Sequence, residues 1–437
     1  MKSGYHAIPR HLFDALAAGG GGPEAIGALV AAEHSKHLLL LRGVLKAAQG
    51  EGALHAWFAR IGWELLTEVE HRNRDIAARV TRYPAVGAWA IETVRATSAN
   101  AGPRRSGPAR LAAVAAAAAV RSGIDAEIPV LPVDGIVSLP SLGVARMDAD
   151  TAVVHSHPGR SEIRSAHGRV EIPADPQRDA PGWQGIRGCA TGELTAVIED
   201  LDPFRMPTVD GLAPRLTEPE ALEWRRAIQQ GWQALAATQP AVAAEAAAAI
   251  SVIVPLSQSV HGHLSSSTPD TFGAVAMSRP PDPDTCASTF SHELQHLKLG
   301  AVLDIVRLTL PDDGRRYYAP WRDDPRPVAG LLQGAYAHVG VTEFWRRRRE
   351  LASGATQARA EGEFALWRAG TIRVISTLLA SGRLTVDGAH FVRNMSETAS
   401  SWMSEPVSAQ ARAFARNEAE SHLARWESRH GPVSRLA

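Results

Sequence analysis

The chain has 437 residues, and its 46 Lys plus Arg balance 46 Asp plus Glu for a formal net charge of zero. That balance argues against a nucleic-acid partner or an anionic membrane surface, and no stretch approaches the roughly 18 uninterrupted apolar residues of a membrane span. The length suits two or three domains with ample material for a buried core.

Residues 1–10 are polar with no apolar segment behind them, so the expected compartment is cytoplasmic. Residues 7–120 read as helical: a helix at 11–18, a Gly break at 19–22, a long amphipathic helix at 23–49, then helices at 51–80 and 84–98. A Pro/Gly/Arg loop at 101–108 leads into an Ala-rich, buried helix at 111–121. His34 and His37, three apart on the second helix, read as packing residues. From 124 to 216 the character changes to short β-rich runs at 128–133, 135–140, 144–147, 152–156, 168–172 and 194–200, divided by Gly, Pro and Asp turns. His155 and His157 alternate onto one face of such a strand and form a second candidate metal pair.

Helices follow at 218–238 and 240–249, then a buried strand at 250–256, a polar loop at 257–269 carrying His261, His263 and a serine run, a second strand at 272–278, and a helix at 284–306. Beyond it come an aromatic and basic loop at 317–327, a helix at 328–351, and helical stretches at 357–379 and 405–429. The expected fold is α+β and mostly helical, with a helical N-terminal region (1–121), a β-rich segment (122–216) and a catalytic domain (217–437). In that last part a zincin-like helix packs under a small β-sheet. Cys189 and Cys286 lack metal-type spacing, so neither a disulfide framework nor a Cys-based zinc site is expected, and both read as small buried apolar residues.

The helix at 284–306 carries His292-Glu293-Leu294-Gln295-His296, an HExxH motif. On a helix His292 and His296 lie one turn apart on the same face, so both imidazoles reach one metal ion while Glu293 sits beside it. Pro280, Pro281 and Pro283 forbid helix upstream, Asp284 or Thr285 serves as N-cap, and Ala287, Phe290, Leu294, Leu297 and Ala301 recur at helical spacing. The motif is not continued by the Gly and third His of a metzincin. A third ligand must come from elsewhere, most simply the next helix, where Gly330 and Gly334 would permit close packing against the motif. His338 there gives a three-His site and Glu343 a two-His-one-carboxylate site; His338 is preferred, because imidazole suits Zn, Fe and Cu alike.

Two chemistries compete. In a zinc metallopeptidase the metal lowers the pKa of a bound water and Glu293 acts as general base. In a non-haem Fe(II) oxygenase the metal keeps open positions for a bidentate co-substrate and O2. Arg322 and Arg326, in a Pro-stiffened loop, suit bidentate recognition of a co-substrate carboxylate, or else pair with the neighbouring Asp323 and Asp324. A non-catalytic peptide-binding protein with a degenerate metal site is a third reading.

The runs at 272–276, 291–299, 303–304, 319–327 and 330–338 together resemble a bacterial family known as the HEXXH motif domain. Residues 11–21 look like its N-terminus, so the likeness spans nearly the whole chain. The resemblance implies an Fe(II)- and 2-oxoglutarate-dependent peptide β-hydroxylase, a dioxygenase that accompanies ribosomally synthesised precursor peptides in natural-product (RiPP) biosynthesis. It further implies His292 and His296 as iron ligands, an Arg of the 321–327 loop on the 2-oxoglutarate carboxylate, and a supporting or coordinating Glu293 instead of a general base.

Overall fold

In the computed structural model, which describes residues 6–98, 107–260 and 262–433, the chain is mostly helical with three small β-sheets, an α+β fold. The loop expected at 101–108 and His261 lie largely or wholly outside the described residues. The first helices are α1 (Arg10–Ala17), α2 (Gly22–Ala48), α3 (Ala53–Arg72), α4 (Arg74–Thr81), α5 (Pro84–Ser98) and α6 (Arg110–Ser122). The single helix expected over 51–80 is two, because Asn73 leaves the helical region and its side chain accepts the Ile76 N–H, which caps α4. The Ala-rich α6 is buried along nearly its whole length, where small side chains let other helices approach.

The β-rich part contains β1 (Ala126–Val130), β2 (Ile136–Leu139), β3 (Gly143–Arg146), β4 (Ala152–His157), β5 (Arg160–Ser165), β6 (Gly168–Ile172), β7 (Trp183–Gly185), β8 (Arg187–Thr191) and β9 (Leu194–Ile198). Of these β5, β7 and β8 carry no readable alternation and are additions to the sequence reading. After α7 (Glu218–Thr238) and α8 (Pro240–Ala249) come β10 (Val252–Leu256), β11 (Ser265–Ser266) and β12 (Ala274–Ser278). The remainder is α9 (Pro283–Ile305), α10 (Val328–Leu351), α11 (Gly354–Ala380), α12 (Val386–Ser401) and α13 (Ala409–His430).

Two sheets, β1-β4-β5-β6 and β2-β3-β7, are antiparallel, whereas the third runs β11-β12-β10-β9-β8 with β9, β10 and β12 parallel. This third sheet joins strands from residues 122–216 to strands from residues 217–437. Its period-2 alternation serves two cores. Ile198, Ile253, Val275 and Met277 face a core built with α7 to α12, while Val252, Val254, Ala274 and Ala276 face one built with α3 to α6 and the other two sheets. No single described helix is long and apolar enough to cross a membrane; α1 and α2 pass that test only together, and they are bent by 104°.

The motif helix α9 sits between this sheet and α10. Its cap is Asp282, which accepts from Thr285 N at 2.9 Å with Pro283 at the first helical position, so the expected cap at Asp284 or Thr285 shifts upstream. Ala287, Phe290, Leu294, Leu297 and Ala301 are buried as their spacing required, each large one contributing about 1.5–3 kcal/mol by burial. The close approach of α10 is made at Gly340, where a Cβ would lie 2.8 Å from the Ser291 carbonyl; Gly330 and Gly334 instead face Arg326 and Trp321 of the preceding loop.

Residues 16–22 are stitched to the other side of these helices. Gly19 O accepts from Gln295 Nε2 at 2.8 Å and from Lys298 Nζ at 2.9 Å, Lys298 pairs with Glu245 of α8 at 3.0 Å, and Tyr336 Oη donates to Leu16 O at 2.5 Å. Replacing Gly340 by Ala forces α10 away from the α9 backbone, and overpacking of this kind costs on the order of 1–3 kcal/mol. The expected result is a lower urea midpoint at unchanged m-value; an unchanged midpoint would show that the contact does not hold the two helices.

Candidate metal centre

The helical spacing of α9 brings His292 Nε2 and His296 Nε2 to 3.0 Å, with ring centres 4.7 Å apart. His338 of α10 adds a third ring 5.4 Å from that of His292. Two nitrogens each about 2.1 Å from one ion are about 3.0 Å apart at a right angle, and with ring centres about 1.1 Å further out, imidazole centres fall about 4.6 Å apart at a right angle and about 5.3 Å at a tetrahedral one. The two observed spacings lie at these values, so His292 is placed to share a cation with His296 and with His338. Among the described residues, no group of three or more His, Cys, Asp or Glu side chains is placed so that it could hold a metal ion as it stands.

Hydrogen bonds set which ring nitrogen is free. His338 Nδ1 bonds to Gly334 O at 2.8 Å and His296 Nδ1 to Gln333 Oε1 at 3.1 Å. Both partners accept, so each Nδ1 carries the proton and each Nε2 keeps its lone pair, the orientation that metal-bound histidines take. Burial, with His296 adding repulsion, pushes the His292 pKa down to about 4, and burial with His292 beside it pushes that of His338 well below the usual value. Neutral imidazole is the ligating form.

Glu293 is 1% exposed, and both its oxygens are taken: Ser265 Oγ donates at 2.6 Å and Ser267 Oγ at 2.7 Å. The edge strand β11, which the sequence reading treated as loop, and the residue that follows it lay these hydroxyls over the carboxylate. Trp321 stacks on His338 with ring centres 3.9 Å apart and an interplanar angle of 13°. It fits because Gly334 has no side chain; a Cβ there would be 2.4 Å from Trp321 Nε1.

His292, Glu293, His296, His338, Arg322 and Arg326 all line one cavity of about 530 Å³. Arg322 Nε and Arg326 Nη1 each donate at 2.9 Å to a different oxygen of Asp324. These pairs are half-exposed, and exposed pairs are worth about 0–1 kcal/mol, so either guanidinium is readily exchanged onto another carboxylate. The loop itself is anchored from outside, through Arg429 to Asp323 at 3.0 Å and His430 to the Asp323 carbonyl at 2.8 Å.

Glu343, the other candidate third ligand, does not line the cavity; it accepts from Arg346 at 3.1 Å and Arg347 at 2.9 Å on its own helix. The arginine run 346–349 is accordingly an ion-paired helix end, with Arg348 on Asp284 and Arg349 on Glu405. His155 and His157, on a separate sheet, pair with Glu127 and Asp125 and do not line the cavity. His34 and His37 bond to Thr81, and His263 to Thr289 and Ser278. Both cysteines are buried and unpaired, and burial pushes both thiols up, which leaves neither as a thiolate.

The sequence reading missed Gln333, Trp321 as a stacking partner, Ser265 and Ser267, and Glu33, which also lines the cavity. Ser265 and Ser267 are two apart, the period of a strand face, and that was a legible hint; Gln333 and Glu33 carry none. Comparison with protein-family models and with curated protein sequences finds no match to this chain. Ser265→Ala and Ser267→Ala each strip a hydrogen bond from a buried carboxylate, a loss worth about 1.5–3 kcal/mol. Each is expected to lower the denaturation midpoint in the native protein and to have a smaller effect in a Glu293→Gln background, a coupling read from a double-mutant cycle.

Proposed function

We propose that this chain is an Fe(II)- and 2-oxoglutarate-dependent oxygenase that β-hydroxylates a side chain of a ribosomally synthesised precursor peptide. The observation that carries this reading over the metallopeptidase is the state of Glu293. A general base needs a lone pair directed at the metal-bound water, whereas each oxygen of this carboxylate already accepts a serine hydroxyl, from Ser265 or Ser267, which turns the group towards β11 and leaves one lone pair on each oxygen. The resemblance to the HEXXH motif domain family, which covers the motif, the Arg loop and His338, supports the same reading.

His292, His296 and His338 would hold the iron, the lone pairs of His296 and His338 being set by Gln333 and Gly334. The bound metal with 2-oxoglutarate and O2 supplies the oxidant, and the overall change is peptide C–H, O2 and 2-oxoglutarate to peptide C–OH, succinate and CO2. Arg322 or Arg326 takes the 2-oxoglutarate carboxylate by releasing Asp324, exchanging a single hydrogen bond for a bidentate one. Trp321 and Phe272 line the cavity with apolar surface that limits water around the reacting centre. A cavity of about 530 Å³ suits a small co-substrate together with one side chain. The free edge of β11 can take an extended peptide as an added strand, and α9 beneath this sheet resembles a zincin-like arrangement. Buried unpaired thiols fit the cytoplasm, where such peptides are made.

The test is anaerobic titration of metal-free protein with Fe(II) and then 2-oxoglutarate. A visible charge-transfer band is expected, absent in His292→Ala and retained in Glu293→Gln. Arg322→Gln with Arg326→Gln is expected to raise the 2-oxoglutarate needed for half the band about 10- to 100-fold, since a charged hydrogen bond is worth about 1.5–3 kcal/mol. Tight zinc with no band, and peptide cleavage lost in Glu293→Gln, would replace this reading with the peptidase; protein that takes up no metal would leave the non-catalytic binding role.

A further inference from the structure

A second cavity, of about 220 Å³, shares the walls Glu33 and Phe272 with the metal-site cavity. It is lined by three arginines, Arg79, Arg82 and Arg121. The fully buried Arg110 and Arg187 are matched with Asp202 and Asp200, whereas Arg121 is half-buried and Arg79 and Arg82 are exposed at the cavity mouth. Here, among the described residues, none of the three has a carboxylate partner. Arg82 Nε donates only to the Ala78 carbonyl of its own helix at 3.2 Å, Arg121 donates to the hydroxyl of Ser141 at 2.9 Å and to its carbonyl, and Arg79 donates to nothing described. Glu33, the acid in the cavity wall, is committed to Lys36 at 2.6 Å.

The cluster is held in place at some cost. Ser141, which orients the Arg121 guanidinium, is a buried non-glycine residue at φ 70°, a left-handed conformation that side chains resist. Burial together with repulsion from Arg79, opposed by Tyr83, lowers the Arg121 pKa to about 10. Cations gathered in a concave, partly desolvated site focus a positive field, and guanidinium geometry matches a carboxylate fork.

We propose that this cavity is an anion subsite that takes a carboxylate of the peptide substrate, either an acidic side chain or the terminal carboxylate, among Arg79, Arg82 and Arg121 while another part of the peptide enters the metal-site cavity. This rests on the reading of the substrate as a peptide, but not on the iron. Acidic peptides are thereby selected over neutral ones, and the walls Glu33 and Phe272 separate the anchored residue from the one that is modified.

The test uses the full chain without metal and fluorescence anisotropy of three short dye-labelled Gly/Ser peptides: one with glutamates and an amidated end, one without glutamate but with a free carboxyl end, and one with neither. Tighter binding of an acidic peptide than of the neutral one is expected, weakened at least tenfold in Arg79→Gln/Arg82→Gln and falling as salt is raised. Whichever acidic probe binds identifies the carboxylate source. Arg79 and Arg82 are exposed, so their replacement leaves the core intact; Arg121→Gln should weaken the same probe. Equal binding of the neutral peptide, no binding of either acidic one, or binding indifferent to these substitutions would overturn the subsite. Because no metal is present, such a result is distinct from failure of the charge-transfer band.

Discussion

The geometry of the site depends on how closely α10 lies against α9. Gly340 sits on the Ser291 carbonyl, one residue before His292, with no space for a Cβ. That contact fixes the height and rotation of α10, and two residues earlier on the same helix His338 arrives beside His292. Once α10 is seated, Gly334 opens the notch that Trp321 fills, and Trp321 covers the His338 ring. A chain of close-packed contacts thus leads from one missing side chain to the position of a third imidazole, because packed interiors give way in steps and do not deform smoothly.

The back of the site is polar. Lys298, next to the motif, is 1% exposed and shared between Glu245 and the Gly19 carbonyl, while Gln295, inside the motif, bonds to the same carbonyl. A buried ion pair is weak evidence for stability, since desolvation offsets most of its Coulomb gain. What the network does supply is direction: α8, α9, α10 and the 16–22 turn meet in one arrangement in which each buried donor has an acceptor. The N-terminal residues are therefore part of the frame that holds the histidines, although none of them enters the cavity through α1.

On the front, charge is distributed by sign. The three imidazoles and the clamped Glu293 form the floor, Arg322 and Arg326 share Asp324 at one side, and the unpaired Arg79, Arg82 and Arg121 lie beyond Glu33 and Phe272. For the proposed peptide oxygenase this arrangement separates three tasks: holding the metal, holding a small dicarboxylate, and holding the substrate at a distance from the carbon that reacts. A peptidase would ask Glu293 to turn a remaining lone pair towards the metal-bound water, away from the serine hydroxyls that orient it here.

How much of this could be read from the sequence follows from how local each feature is. The helix of the HExxH motif, the pairing of its histidines and the burial of Phe290, Leu294 and Leu297 depend only on neighbours within a few turns, so the amino-acid order determined them, as it did most of the helices and the alternating strands. Asn73 as a break, and Asp282 as the cap in place of Asp284 or Thr285, turn on single backbone angles and were missed. Strands of two or three residues, β7 and β11, carry no period to read. His338 and Glu343 are five apart on one helix, about 140° around its axis, so the sequence shows that only one of them faces α9 but not which. That choice, the closure of the serines onto Glu293 and the meeting of Arg79 and Arg82, at the end of α4, with Arg121 of α6 were made by tertiary structure, because each depends on atoms brought together from residues tens of positions apart; the two-residue spacing of Ser265 and Ser267 hints at a shared face but not at what it meets.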